Sequence, residues 1–231
     1  MEYEGWKLIL TCEHGGNTIP GKWQRLLKSS DKSLLQTHRG WDIGALKIAN
    51  ALKKSFDCPL YYSQISRLLI DLNRSPKRCF GSILQDISNP IKDEIYQKYY
   101  LPYRSNVTSW IEQIQAAKHR VLHLSVHSFT PQLNSQIRNA DLSLLYDPSR
   151  KNEVGIANSL IAKMKQEVPE FKYRRNYPYL GIADGLTSAL RKKFSAKCYA
   201  GIEIEINQKH LTSVSGIRMV SSLLIQSLSE R

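Results

Sequence analysis

The sequence predicts an α/β fold, with a mixed, mostly parallel sheet and helices on both of its faces. Short apolar runs bounded by glycine, proline and polar residues alternate with longer segments of helical period, as in strands joined by crossover helices. Runs such as WKLILTC and RLLIDL are nearly continuous in large apolar residues, as strands buried on both faces require. At 231 residues, 42% of them hydrophobic, the chain can fill one large core, and no Pro- or Ser-rich linker or internal repeat divides it. One domain over residues 1–231 is the expectation.

In chain order, residues 6–12 form the first predicted strand, which stops at the polar, glycine-bearing Glu13-His14-Gly15-Gly16-Asn17. Pro20-Gly21 precedes a helical turn or two over residues 22–28. Asp42 is placed as the N-cap of a helix carrying Ile43, Leu46, Ala49 and Leu52 at helical spacing, and Pro59 closes it. Strands are expected at residues 60–62 and 68–72. Residues 91–117 are the longest helical stretch, broken or kinked by Pro102. Residues 121–126 predict a strand ending at His127-Ser128-Phe129, and residues 142–146 another. A helix over 154–167 sets Ile156, Leu160, Ile161 and Met164 on one face. A strand at 199–206 and a helix at 213–228 complete the chain.

The acidic start, Met1-Glu2-Tyr3-Glu4, lacks the basic and apolar regions of a secretory leader. No apolar run approaches the roughly 18 residues that span a bilayer. Both point to a cytoplasmic chain without a membrane partner. Cys12, Cys58, Cys79 and Cys198 are too widely spaced for a zinc-cysteine site and read as buried thiols. The net charge of +13 is spread along the chain, with short clusters at residues 172–175 and 191–193. This reads as a solvated surface that also attracts a small anion, rather than as a nucleic-acid module with one basic stripe. A monomer or small homo-oligomer is expected.

Several polar groups fall at predicted strand ends, where ligands collect in parallel sheets. The glycines beside His14 let it project into a cleft, although a lone histidine also serves as a backbone partner. His127 ends its strand, whereas His123, about 13 Å away on the same face, reads as a satisfied core residue and His119 as solvent-facing. Arg67-Leu68-Leu69-Ile70-Asp71-Leu72-Asn73-Arg74 brings a carboxylate, an amide and guanidinium groups together. These suit a substrate carboxylate, or an Asp71–arginine pair bracing the loop. Glu203 and Glu205 share one face of an apolar strand, where burial demands a compensating cation unless the strand is a half-exposed edge. A glutamate beside an activated water would be a general base.

Taken in order, Glu13-His14-Gly15-Gly16-Asn17 with Pro20, Trp41-Asp42-Ile43-Gly44-Ala45, Arg67 to Arg74, His127-Ser128-Phe129 and Glu205-Ile206-Asn207-Gln208 resemble the N-formylglutamate amidohydrolase family, over about residues 8–209. The resemblance implies a zinc carboxypeptidase-like fold, related to the aspartoacylases, and a Zn2+ cofactor held by His14 and His127. The carboxypeptidase pattern puts a glutamate three residues after the first histidine, where this chain has Asn17. Asp42 is therefore assigned as third ligand, with Glu13 in reserve. Glu205 is the implied base, in preference to Glu203, because of its spacing to Gln208. Asn73 and Arg74 would hold the substrate carboxylate, Arg67 would join them or steady the charge developing on the carbonyl oxygen, and Arg138 and residues 173–179 would line the pocket. The implied substrate is a small anionic N-acyl amino acid such as N-formyl-L-glutamate. One rival is another N-acyl amino acid or small peptide at the same site. The other is nucleic-acid binding through the basic-aromatic Phe171-Lys172-Tyr173-Arg174-Arg175-Asn176-Tyr177.

Overall fold

The computed structural model describes residues 2–229. Its main sheet has seven strands: β1 (Glu2–Tyr3), β2 (Trp6–Cys12), β3 (Leu60–Tyr62), β4 (Arg120–Phe129), β7 (Leu142–Leu145), β8 (Tyr173–Arg175) and β9 (Tyr199–Asn207). A separate two-stranded hairpin pairs β5 (Gln132–Leu133) with β6 (Gln136–Ile137). Strand order is β1-β2-β4-β9-β7-β8, with β3 also on β2. The β2–β3, β2–β4, β4–β9 and β7–β8 pairs are parallel, and β1–β2 and β7–β9 are antiparallel. The sheet is thus mixed and mostly parallel, as its apolar runs predict.

The helices are α1 (Ser29–Leu34), α2 (Ala45–Phe56), α3 (Asn89–Ile95), α4 (Leu101–Ala116), α5 (Lys151–Glu167), α6 (Leu186–Lys193) and α7 (Val214–Leu228). They cover both faces. Ile48 and Leu52 of α2, Ile156 and Leu160 of α5, and Leu223 and Leu224 of α7 pack on Leu8, Leu10, Leu122, Leu124, Val126, Ile202, Ile204 and Ile206. Ile95, Val107, Ile111 and Leu190 form a second cluster with Ile9, Val121 and Tyr199 on the opposite face. Side chains alternate across a strand, so Thr11, His123, Ser125, His127, Glu203 and Glu205 fall on this second face. All six are buried. One parity of the central strands makes core; the other makes a polar stripe running toward their carboxyl ends.

Two departures from expectation have physical causes. Residues 68–72 are not a strand: Leu69 and Ile70 both donate to the Ser66 carbonyl in a turn, and Ile70 makes one isolated bridge to Phe80. Leu68, Leu69, Ile70 and Leu72 are nonetheless buried, and a short apolar run reports burial rather than backbone form. Asp42 is not a helix cap. Helix α2 begins at Ala45 behind Gly44, whose φ of 82° and approach to Leu211, 2.7 Å from where a Cβ would stand, both exclude a side chain. The long helix over 91–117 is α3 and α4 joined by a π-turn at Tyr96–Tyr100, just ahead of Pro102. The stretch over 22–28 is a 3-10 helix at Gly21–Leu26.

Candidate active site

The carboxyl ends of β2, β4 and β9 open into a cleft of about 130 Å³, lined by His14, Asp42, Arg67, Asn73, Arg74, His127, Arg138, Glu203 and Glu205 among others. His14, Asp42, Arg67, Asn73, Arg74, His127, Arg138 and Glu205, assigned from the sequence as catalytic, substrate-binding or metal-ligating, therefore meet in one place, although they come from chain segments up to 191 positions apart.

His14 follows β2 in the glycine-bearing loop. A Cβ on Gly16 would stand 2.8 Å from Gln64, so glycine lets this loop lie against the segment after β3. His127 sits within β4, which continues to Phe129 rather than ending at the histidine. Its register partner on β9 is Glu205. Asp42 reaches the cleft from the turn before α2: its backbone N–H donates to the His14 carbonyl at 2.9 Å, tying the two segments together.

The side chains of His14, Asp42 and His127 converge, with ligand-type atoms all within 4.8 Å of one another and all three residues buried. Nδ1 of His127 lies 2.8 Å from Oδ2 of Asp42, and Nδ1 of His14 lies 3.4 Å from the same oxygen. Each imidazole is held from behind by a second carboxylate. Nε2 of His14 is 2.7 Å from Oδ1 of Asp71. Nε2 of His127 is 3.0 Å from Oε2 of Glu13 and 2.8 Å from Oγ of Ser125. Glu13 also accepts from Ser125 at 2.6 Å and from the Tyr103 hydroxyl at 3.2 Å. With their Nε2 atoms so engaged, both rings present Nδ1 to the same point, as outer carboxylates do for metal-ligating histidines.

This geometry corrects the reserve role of Glu13. It is fully buried behind His127 and does not line the cleft. Asn17, at the position where carboxypeptidases carry a glutamate, donates to the Leu35 carbonyl at 2.9 Å and braces the loop. Nothing in the sequence distinguishes Glu13 from a ligand, because its partners Ser125 and Tyr103 are distant in the chain.

The electrostatics suit a cation. Burial would raise the Asp42 carboxyl, but Arg67, His14 and His127 hold it well below the usual carboxylate range. Burial likewise works against the charged forms of Asp71 and Glu13, and their histidine partners overcome it. Burial would lower His127, yet its hydrogen bonds to Asp42 and Glu13 keep it well above the ordinary imidazole value. For Glu205, burial outweighs the downward pull of His127 and Arg67. Burial pushes it up to about 8, with Asp42 and Glu203 adding to the rise against His127. Among the described residues, buried Nδ1 of His14 and Oε2 of Glu205 make no hydrogen bond. Two orphaned polar atoms in one buried cleft are expensive, and a divalent cation with its water would satisfy both. The donor set of two imidazoles and one carboxylate fits zinc.

The remaining residues frame this centre. Arg67 pairs with Oδ1 of Asp42 through Nη2. Asn73 accepts from the Leu186 N–H at 2.7 Å through Oδ1, which leaves its amide donors for the cleft. Arg74 donates from Nη1 to the Asp184 carbonyl at 2.8 Å and is 39% exposed. Glu203 accepts from Thr187 at 2.6 Å. The strand bearing the two glutamates is central and buried throughout, not an exposed edge. His123 is a core residue, bonded at 2.8 Å to both Thr11 and Tyr199. His38, Tyr179, Leu180 and Asp184 also line the cleft; His38, Leu180 and Asp184 had no sequence signal, since they lie outside the predicted strand ends. In the basic-aromatic stretch, Phe171 stacks on His210 at 4.5 Å and Tyr173 donates to carbonyls of α5 and Val168, so these rings are occupied by the protein itself.

Residues 6–212 match the family model described as N-formylglutamate amidohydrolase. Among solved structures, a gene product from Agrobacterium tumefaciens is similar at a TM-score of 0.80 and 28% identity, covering 98% of this chain and 90% of that one. The N-formylglutamate amidohydrolase from Ralstonia eutropha is similar at a TM-score of 0.70 and 17% identity, covering 98% and 93%. A metallo-carboxypeptidase from Burkholderia cenocepacia is more distant, at 0.45 and 10%, covering 96% and 56%. No curated protein matches the chain.

Proposed function

The chain belongs to the N-formylglutamate amidohydrolase family, and from that premise we propose that it hydrolyses the amide of an N-formyl or N-acyl acidic amino acid, such as N-formyl-L-glutamate, at a zinc centre. The observation that carries this reading is the convergence of His14, Asp42 and His127 beside Glu205. When bound, a divalent zinc ion lowers the pKa of water and polarises a carbonyl. His14, Asp42 and His127 would hold it.

The protein's own groups do the rest. Glu205, adjacent to His127 across β4 and β9, accepts a proton from the attacking water at its free oxygen and returns it to the departing nitrogen. Burial raises this carboxyl in the metal-free protein, and a bound divalent cation beside it would favour the charged form that takes the proton. Glu203 is the weaker candidate, since Thr187 already occupies one of its oxygens. Arg67 steadies Asp42 and faces the carbonyl oxygen as charge develops there. Asn73 and Arg74 take the substrate's α-carboxylate through the amide and the guanidinium edges left free by Leu186 and Asp184. Assay of formate or acetate release from N-formyl and N-acetyl acidic amino acids tests the proposal. Chelator-sensitive turnover is expected, and inertness of the metal-replete protein toward the whole panel would overturn it.

A further inference from the structure

Arg138 is unusual among the cleft's cations. Arg67 pairs with Asp42, and Arg74 is tied to the Asp184 carbonyl with Asp71 3.9 Å away. Among the described residues, no carboxylate and no hydrogen-bond acceptor is recorded on the Arg138 guanidinium. Its contacts are two aromatic rings: Phe129 at 5.9 Å and Tyr179 at 5.2 Å from the central carbon to the ring centroids. Among the described residues, none of the cleft carboxylates Asp42, Asp184, Glu203 and Glu205 forms an ion pair with it. Asp42 is bound by Arg67 and His127, Glu203 by Thr187, and Asp184 by Ser75.

Ring contacts of this kind take up the flat face of a guanidinium and leave its in-plane N–H donors free. Two rings also fix the group's position before a ligand arrives, so little rotamer freedom is lost on binding. The backbone is fixed as well: the Arg138 N–H donates to the Pro131 carbonyl at 2.8 Å, closing the β5–β6 hairpin on the segment that leaves β4. A braced, unpaired guanidinium in a small cleft is a receptor for a planar anion.

Resting on the amidohydrolase reading above, we infer that Arg138 is the specificity-determining residue. It binds a second carboxylate, on the substrate's side chain, while Asn73 and Arg74 hold the first. The cleft would then discriminate dicarboxylic N-acyl amino acids from their neutral isosteres by the one cleft guanidinium left unpaired among the described residues.

The test compares N-formyl-L-glutamate with N-formyl-L-glutamine, which differ only at the distal group. The parent protein should favour the acid in kcat/KM by about 100-fold, the size expected for a charge-assisted bidentate pair. In Arg138→Gln that ratio should fall toward unity, and Arg138→Lys should recover only part of it, because an ammonium lacks the fork. Calorimetric binding of the same two compounds to Glu205→Gln reads the preference without turnover. Binding that favours the acid and depends on Arg138, with no hydrolysis by the parent, would sink the amidohydrolase reading and leave the subsite standing. A ratio unchanged in Arg138→Gln, or equal losses on both compounds, would overturn the subsite. Circular dichroism of each variant checks that the hairpin change leaves the fold intact.

Discussion

Nδ1 of His127 stands 2.8 Å from Oδ2 of Asp42, while the opposite nitrogen of the same ring stands 3.0 Å from Glu13. The imidazole is thus clamped between two buried carboxylates, one facing the cleft and one behind it. Loss of Glu13 should not remove the metal site but loosen it. Glu13→Gln is expected to weaken divalent-metal affinity by roughly 10–100-fold, the usual cost of removing a partner behind a ligating histidine. Competition with a chromophoric chelator measures this, and an unchanged affinity would show that Ser125 alone orients the ring.

Glu205→Gln should keep its metal and lose hydrolysis, by roughly 100- to 10,000-fold in kcat, because an amide cannot accept the water proton. The matching Glu203→Gln change should cost far less. Equal losses would mean that the two carboxylates act as one unit and that the assignment to Glu205 is wrong.

The metal-free protein should show a pH signature of Glu205. Burial raises this carboxyl from its ordinary 4.5 to about 8, so between those values the native state holds a proton that the unfolded chain has released. Stability then falls as pH rises through the window, by up to about 1.4 kcal/mol per pH unit. His123 acts oppositely: burial lowers it to about 4, so its contribution is lost as pH falls from 6.5 toward 4. His127, held well above its ordinary 6.5, adds a loss of the same sign above that pH, so the Glu205 effect is read as the difference between the parent and Glu205→Gln from pH 6.5 to 8. Urea unfolding after chelation should show the parent losing stability relative to Glu205→Gln across that range. Parallel curves would place the Glu205 pKa in the ordinary range.

Arg191 is a structural counterpart to the cleft arginines. Its Nε is 3.0 Å from both oxygens of buried Glu153, and its other nitrogens donate to the carbonyls of Gly181 at 2.6 Å and Gly201 at 2.7 Å. Gly181 belongs to the loop whose Tyr179, Leu180, Ala183 and Asp184 line the cleft. Arg191→Met leaves Glu153 buried without its counter-charge and should destabilise the protein by about 3–5 kcal/mol. It should also raise KM as the loop loosens. Chemical denaturation reads the first effect and steady-state kinetics the second.

Most strands were legible because their apolar runs report burial directly. The segments at residues 6–12 and 60–62 coincide with β2 and β3, and β4 and β9 differ from expectation only at their ends. Residues 68–72 misled because burial in a turn and burial in a strand leave the same composition. At the site, His14, His127 and the Glu203–Glu205 pair were readable as polar residues at strand ends, and the preference for Glu205 within the pair came from the family resemblance. Asp42 drew the same attention, but its local pattern pointed to a helix cap; the helix start at Gly44 depends on packing against Leu211, far away in the chain. The carboxylates behind the histidines, Asp71 and Glu13, could not be told from loop braces or ligands, since their roles exist only once β2, β4 and the turn after β3 are assembled.

Elemental analysis of the purified parent, Asp42→Ala and His127→Ala proteins, each after equilibration with zinc and removal of excess, tests the proposed centre most directly. About one zinc ion per chain is expected in the parent, and well below that in both variants, since a catalytic zinc normally needs three protein ligands. A parent that retains no zinc, or an Asp42→Ala protein that retains as much as the parent, would contradict the assignment.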